Sequence, residues 1–389
     1  MKDYKKELKK HKFIVFCEDH YNPLGVVRSL GEADIRPIVI LITNGKTPKL
    51  IVKSKYPLVI HKVNTKEDGL EILISNYGKN NGIKPFVYSC SDNVCQLIDK
   101  HYDILKNDFF VFHGREQGIV SQYLNKYAIN DIAVKYGCSV LENEVLSKGE
   151  IPRKIEYPVL TKALTSTIYA WKDEMHICNN AEELMNAYKQ IRSDKVLVQK
   201  FINKKNEFCV DGFCFNDGKD VIIPYYSSYK RFTDLSYGAY MEFKPFDDKV
   251  IYDQICSILK EIGFNGIFEV EFLIDNDDNK WFLEINFRNS TWSYAYTYGG
   301  YNMPYLWAMG TLFGKIDIDE ICPKKNFTAI AEYEDYEMAV KYGTMTLDEW
   351  IKEFKLADVH YFYNEQDKKP FSINRFIIKK RIKKIFGKK

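Results

Sequence analysis

The 389-residue sequence predicts a chain of mixed class, α/β at its N-terminal end and α+β beyond it. Three observations carry this expectation. Up to about residue 120, short apolar strands alternate with helical stretches, which indicates a parallel, layered sheet of the Rossmann-like kind. From Asn125 onward the strands pair through polar turns instead. The stretch GIFEVEFLIDNDDNKWFLEINFRNSTWSYAYTYGG, from Gly266 to Gly300, then reads as an antiparallel hairpin with one apolar and one polar face.

Composition sets the bounds. Apolar residues make up 46% and charged residues 28% of the chain, ordinary for a globular protein with a substantial core. No apolar run reaches the length of a membrane span. The lysine-rich start KDYKKELKKHK is followed only by FIVFC, too short for a signal-peptide core, so a cytoplasmic protein is expected. Nine cysteines form no CxxC pair and seven histidines show no metal spacing, which favours reduced structural thiols over disulfides or zinc. The net charge of +3 hides a local feature: Arg375 to Lys389 holds eight basic residues and no acidic one, leaving 1–374 at −5. Nothing else suggests a nucleic-acid partner. Only nine of the 56 basic residues are arginine, so each is a candidate where a planar, bidentate donor matters.

Taken in order, FIVFC (13–17) is a buried strand, followed by the polar loop EDHYNPLG and a helix through VVRSLGEA. Strands at Pro37–Ile42 and Leu58–Val63, a helix over Lys66–Tyr77, the strand PFVYS, a helix over Asp92–Leu105 and the strand FFVF (109–112) complete the series. Ligands of such sheets collect beyond the strand C-termini, here Glu18–Gly25, Ser89–Asp92 and His113–Gln117. His113 and Arg115 follow FFVF and are candidates to meet an anionic substrate; loop residues that only satisfy turn geometry are the simpler alternative. Neither GxGxxG after the first strand nor GxxxxGK[ST] is present. Next come a helix ending at Gly137, a strand YPVLTKAL (157–164), a helix AEELMNAYKQI, a strand KVLVQKFI (195–202), and the strand pair FCVDGFCF and VIIPYY. A helix around Tyr252–Ile262 precedes the hairpin. A strand FTAIAEYE, a helix LDEWIKEFK and VHYFY follow it.

Within the hairpin, Phe268, Val270 and Phe272 alternate with Glu269 and Glu271, and Leu283, Ile285 and Phe287 alternate with Glu284, Asn286 and Arg288. The polar cluster Asp275–Asn279 is the turn. If it centres between Asp277 and Asp278, Glu271 lies opposite Glu284 and Glu269 opposite Asn286. Facing carboxylates repel, so they need solvent, a proton or a cation. Oxygen donors without thiol or imidazole favour a hard cation such as Mg²⁺, shared with substrate phosphates. A solvated hairpin face is the alternative.

This order of elements and residues resembles an ATP-grasp ligase from about residue 10 to 365, most specifically in Glu271…Glu284-x-Asn286-x-Arg288. The resemblance implies a preliminary domain (1–120), a small lobe (121–205), a large lobe with the metal hairpin (206–315), a small C-terminal extension (316–374) and the basic tail (375–389). It implies ATP and two Mg²⁺ ions, with Mn²⁺ an acceptable substitute, the metal held by Glu271, Glu284 and Asn286. Arg288 would stabilise the acyl phosphate, and Lys230 or Arg231 would be a further cation on the phosphates. Lys126 and Lys162 match the two ATP-contacting lysines, Gln199, Lys200, Phe201 and Ile202 the adenine-edge segment, and Glu207 the ribose-binding acid. Taken alone, Lys126 could be a solvated helix residue and Lys162 a snorkelling strand end. Departures are the glycine-free loop ALTSTIYAWK, where Lys172 would cover the phosphates, and Gln199, where many relatives carry an acid.

Within that fold, NFRNSTWSYAYTYGGYNMPYLW and DEWIKEFKLADVHYFYNEQDKKPF resemble carboxylate–amine ligases of the D-aspartate ligase type. This implies an ADP-forming ligase joining a carboxylate, such as an amino acid, to an amine in cell-envelope or peptide biosynthesis. Ser290, Thr291, Tyr294 and Tyr296 would line the acceptor pocket. A bicarbonate-activating carboxylase and a non-catalytic nucleotide-binding protein are the alternatives. The tail RFIIKKRIKKIFGKK reads either as a basic amphipathic helix for an anionic membrane surface or as a solvated terminus.

Overall fold

The structure is a computed structural model that describes residues 4–79, 82–165, 171–232, 238–316 and 321–372. The basic tail, read either as a membrane-facing helix or as a solvated terminus, lies outside the described residues. Among those described, no helix is long and apolar enough to cross a membrane.

Strands β1 (Phe13–Glu18), β2 (Ile38–Ile42), β3 (Val59–Val63) and β4 (Phe86–Ser89) form a parallel sheet in the order β3-β2-β1-β4. All of β2 and all but the last residue of β1 are buried, because helices cover both faces of such a sheet. The helix Tyr21–Glu32 starts on the His20 side chain, and Lys66–Tyr77 starts on a Thr65/Asp68 capping box. The expected strand FFVF is a correction: it makes one bridge, Phe110 to Phe86. The chain then leaves the sheet, and His113 bridges to Asn265 instead.

Strands β5 (Asn143–Ser147), β6 (Val159–Lys162), β7 (Ile177–Cys178) and β8 (Lys195–Lys200) form an antiparallel sheet in the order β5-β8-β6-β7. The helix Ala181–Tyr188 closes a separate small core over Val159, Leu184, Val196 and Val198. Beyond the helix ending near Gly137, Val140 makes an isolated bridge to Phe282.

Strands β9 (Lys204–Phe215), β10 (Asp220–Tyr229), β11 (Tyr240–Pro245), β12 (Gly266–Asp275), β13 (Lys280–Asn286), β14 (Phe327–Ile330) and β15 (Val359–His360) build a seven-stranded sheet, ordered β13-β12-β9-β10-β11-β14-β15. Asp248 caps the start of the helix Lys249–Ile262, and Gly263, at φ 65°, ends it in the left-handed conformation. The expected strand FTAIAEYE stops at Ile330 and turns into the helix Glu332–Tyr336. Within the segment expected as a C-terminal extension, β14 and β15 pair and complete one edge of the large sheet.

The hairpin register is the expected one at the polar face: Glu271 pairs with Glu284 and Glu269 with Asn286. A bulge follows Glu271, after which Phe272 pairs with Phe282. Phe282, fully buried, therefore takes the place expected for half-buried Leu283 on the apolar face beside Ile285 and Phe287.

The N-terminal unit is locked to the large one. Gly25 in the helix Tyr21–Glu32 meets the helix Ser293–Tyr298 so closely that a Cβ there would lie 2.7 Å from Cβ of Tyr294. Arg28, wholly buried, donates from Nε to Asp367 Oδ2 at 3.1 Å and from its other nitrogens to the carbonyls of Tyr361, Phe362 and Asp367.

Candidate active site

Residues directly opposite on neighbouring strands share a face. Across β9, β12 and β13 the pairs Glu269–Asp211, Glu271–Cys209, Glu269–Asn286 and Glu271–Glu284 therefore put acidic and amide side chains on one face. Asn286 Nδ2 donates to Glu269 Oε2 at 3.1 Å and to Glu271 Oε1 at 2.9 Å, tying the cluster together. Burial raises the carboxyl pKa of Glu269, with the Asp211 charge adding to it. Burial raises that of Glu271 too, reinforced by Glu269 and Glu207. Asp211 is fully buried and raised in the same way, its carboxylate oxygens short of a well-formed hydrogen bond beside the Ser290 and Tyr296 hydroxyls.

Cations converge on this face. The helix Lys126–Lys135 begins on the Asn125 side chain, and the Lys126 backbone N–H donates to Leu164 O at 2.9 Å, just beyond β6. Its side chain is 13% exposed, and the ammonium ion-pairs with Glu284. Lys162 ends β6 and donates to Gln199 Oε1 at 2.8 Å. Burial and then the nearby Lys126 charge push Lys162 down to about 8, since the neutral amide of Gln199 accepts a hydrogen bond but offers no charge. Lys204 Nζ lies 2.7 Å from Glu207 Oε1. Arg288 donates from Nε to Asp92 Oδ1 at 2.6 Å and lies 3.7 Å from Glu269. Against the downward pull of burial, Asp92 and then Glu269 hold Arg288 charged.

A cavity of about 510 Å³ opens over this face. Its floor includes Glu269, Glu271, Glu284, Asn286 and Arg288, and its opposite wall includes Glu18, His20, Tyr21, Ser91 and Asp92. Two of the three loops expected to gather ligands, after β1 and after β4, thus reach it.

The donor set fits a hard divalent cation. The carboxylates of Asp92, Glu207, Asp211, Glu269, Glu271 and Glu284 outnumber the cations Lys126, Lys162, Lys204 and Arg288 around them, all donors are oxygen, and the Lys126 ammonium supplies positive charge at Glu284. Among the described residues no three acidic, thiol or imidazole groups enclose an ion by themselves, so phosphate and water oxygens would complete the shell.

Several expected residues are placed elsewhere. His113 stacks on Tyr102 at 4.5 Å, and one ring nitrogen lies 2.7 Å from Gly114 O, the other 3.2 Å from Asn265 Nδ2. Arg115 is exposed and donates to Lys260 O at 3.2 Å, at the end of the helix Lys249–Ile262. Both serve docking, because the chain after Phe110 crosses to that helix rather than ending at the sheet's ligand side. Arg231 donates to both carboxylate oxygens of Asp335, at 2.8 and 2.7 Å, and also pairs with Glu353. Lys230 is exposed, its ammonium 5.2 Å from the centroid of the Tyr240 ring. Tyr294 donates to Glu32 at 2.7 Å, and Ser290 Oγ accepts from the Trp292 N–H, so of the expected acceptor residues only Thr291 lines the cavity. Tyr296 accepts from the Asp211 N–H and donates to Tyr225 O inside the core. Lys200 donates to Glu156 O at 2.9 Å, and Phe201 and Ile202 follow half-buried. The Lys172 side chain and residues 166–170 lie outside the described residues.

The sequence puts Glu269 on the polar hairpin face and Glu18, His20, Tyr21 and Asp92 in ligand-gathering loops without giving any of them a role, and it does not single out Asp211. One signal was available: Asp211 is a lone charge inside the apolar strand FCVDGFCF.

A parallel sheet, a small antiparallel lobe and a large sheet with an acidic face under a lysine pair define a nucleotide-clamping architecture. Residues 122–302 match the family model of the carbamoyl-phosphate synthase L chain, ATP binding domain. Over 332 residues, 76% of this chain and 76% of the relative, the sequence is 22% identical to D-aspartate ligase of Enterococcus faecium (strain Aus0004). The fold is similar to that of L-amino acid ligase from Bacillus licheniformis, with TM-score 0.61 and 12% identity over 82% of this chain and 79% of that one. It is also similar to N5-carboxyaminoimidazole synthetase from Staphylococcus aureus, with TM-score 0.64 and 14% identity over 85% of each chain. The chain has the ATP-grasp fold. The expected resemblance to carboxylate–amine ligases of that fold is borne out.

Proposed function

We propose that the protein is an ATP- and Mg²⁺-dependent ligase that joins the carboxylate of an amino acid to an amine, in cell-envelope or peptide biosynthesis. The observation that carries this reading is the Glu271–Glu284–Asn286 cluster sharing one cavity with Arg288. Lys126 and Lys162 would contact the phosphates of ATP between the small antiparallel sheet and the acidic face. The segment Gln199–Ile202 would meet the adenine edge and Glu207 the ribose. Glu271, Glu284 and Asn286 would hold Mg²⁺, which when bound neutralises phosphate charge and orients the transferred group.

A substrate carboxylate oxygen attacks the γ-phosphorus and ADP departs, leaving an acyl phosphate. The amine nitrogen then attacks the acyl carbon, phosphate leaves, and the nitrogen loses its proton. Arg288, held by Asp92 and close to Glu269, is positioned for the charge that builds on the acyl oxygen.

Hydroxylamine traps acyl phosphates as hydroxamates without any need for the natural amine. Incubation with ATP, Mg²⁺ and each amino acid in turn should give hydroxamate with stoichiometric ADP and phosphate. AMP and pyrophosphate as products would exclude the acyl-phosphate route. Bicarbonate as the sole carboxylate that drives ADP release would transfer the protein to the carboxylases.

A further inference from the structure

A second cavity, about 770 Å³, adjoins the first. Both are lined by Glu18, His20 and Tyr21, so the loop after β1 is the neck between them. One wall of the second cavity is the loop after β2, including Lys46 and Lys49; the other is Tyr333, Glu334 and Phe362. This volume is too large for a single small amino acid and is in the range of sites for drug-sized ligands.

The cavity is built rather than incidental. The Asp19 carboxylate accepts the backbone N–H groups of Lys49, Leu50 and Ile51, the last at 2.9 Å, and so fixes the loop after β2 against β1. That loop turns through Asn44 and Gly45, both at positive φ, 50° and 73°. On the other side, Tyr21 packs against Phe362 and Tyr361 at ring-centroid distances of 5.3 and 5.6 Å. Glu332 accepts the backbone N–H groups of Phe362 and Tyr363 and holds that wall in place.

Its charge is directional. Asp19 is engaged by three N–H groups, and Glu18 accepts the Ser91 hydroxyl at 3.3 Å beside the neck. Lys46 and Lys49 are exposed at the outer rim and form no ion pair among the described residues. The end nearest Arg288 is thus acidic and aromatic, while the far rim carries two ammonium groups.

We propose that this second cavity holds the body of the amine acceptor, and that the acceptor carries an anionic group, carboxylate or phosphate, received by Lys46 and Lys49. Its amine passes the neck at Glu18–Tyr21 to reach the acyl carbon over the acidic face. The inference rests on the ligase reading above, and the two fail separately. Absence of hydroxamate with every carboxylate would remove the ligase reading without touching ligand binding at the second cavity.

Matched probes test it directly by ligand-observed NMR on the full chain with ATP and Mg²⁺. Triglycine is compared with its C-terminal amide, and phosphoethanolamine with ethanolamine. The anionic member of at least one pair should bind more tightly, and the pair that responds tells carboxylate from phosphate. The Lys46→Ala/Lys49→Ala double variant should bind that member about tenfold more weakly, the loss of one or two charge-assisted contacts. Its thermal midpoint should stay at the parent value, since both side chains are exposed. Equal binding of both members in both pairs, or unchanged binding in the double variant, would overturn the proposal.

Discussion

Asn22 and Asn289 grip each other across the middle of the protein. Asn22 Nδ2 donates to Asn289 O at 2.9 Å, and Asn289 Nδ2 donates to Asn22 Oδ1 at 2.7 Å. Both side chains are buried, and the Asn289 N–H donates to Ser89 O at 3.1 Å. The exit of β13 is therefore fixed to the loops after β1 and β4, which places Arg288 against Asp92. Asn289→Ala leaves buried polar groups without partners and should cost about 1–3 kcal/mol of stability. Its further expected effect is a fall in kcat with little change in the KM for ATP, because Arg288 loses its fixed bearing. Steady-state kinetics on both substrates separates the two effects; a parallel rise in the KM for ATP would count against a positioning role.

At the acidic face, Glu284→Gln and Asn286→Ala should each lower Mg²⁺-dependent ADP formation by orders of magnitude while the fold persists. The packing of the hairpin rests on Phe282, Ile285 and Phe287 on the opposite face. Circular dichroism and ADP release check the two halves. Full activity in both variants would remove these residues from the metal site.

Lys162 offers a proton-linkage test. Its pKa is lowered to about 8, so at pH 8.5 it is mostly neutral in the free protein. An anionic phosphate beside it favours the charged form and raises that pKa. ATP binding at pH 8.5 should thus take up a proton, and uptake should vanish at pH 6.5, where Lys162 is already charged. Calorimetry in buffers of different ionisation enthalpy measures this. Lys162→Met should abolish the uptake and weaken binding.

Arg231 is expected to act on stability rather than on the reaction. Removing it orphans Asp335, which is fully buried and otherwise accepts from Trp350 Nε1 at 2.8 Å. Arg231→Ala should cost about 3–5 kcal/mol. Lys230→Ala, which removes an exposed side chain, should change stability by no more than about 0.5 kcal/mol. Denaturant titration of the two variants distinguishes them.

What was legible in the sequence follows the range of the interactions. The pairing of Glu271 with Glu284 could be read because a short polar turn fixes the register of a hairpin within a few residues. The bulge could not, since alternation alone does not say whether Leu283 or Phe282 meets the core. Lys126 reaches Glu284 and Lys162 reaches Gln199 through sheet and helix placements that no periodicity reports; the family resemblance marks these residues for one nucleotide site without giving their contacts. Tyr294 and Arg231 were expected near substrate, yet each is claimed by a carboxylate far away in the chain, Glu32 and Asp335. No periodicity reports such partners. His113 and Arg115 sit away from the site for a related reason: an apolar run of four reads as a strand, but its one bridge does not direct the chain to the sheet's ligand side.

The buried Arg28–Asp367 pair also sets a schedule for the protein's birth. The two residues are 339 positions apart, so the guanidinium, on the helix Tyr21–Glu32, is made long before its partner. At roughly 5–20 residues per second, on the order of half a minute passes before its counter-charge is made. Until then the N-terminal unit carries a cation whose burial nothing offsets, so its docked form cannot mature. The wall of the second cavity at Phe362 arrives in the same late interval. A chain that stops before Phe362 therefore lacks both the lock and that part of the second cavity's wall.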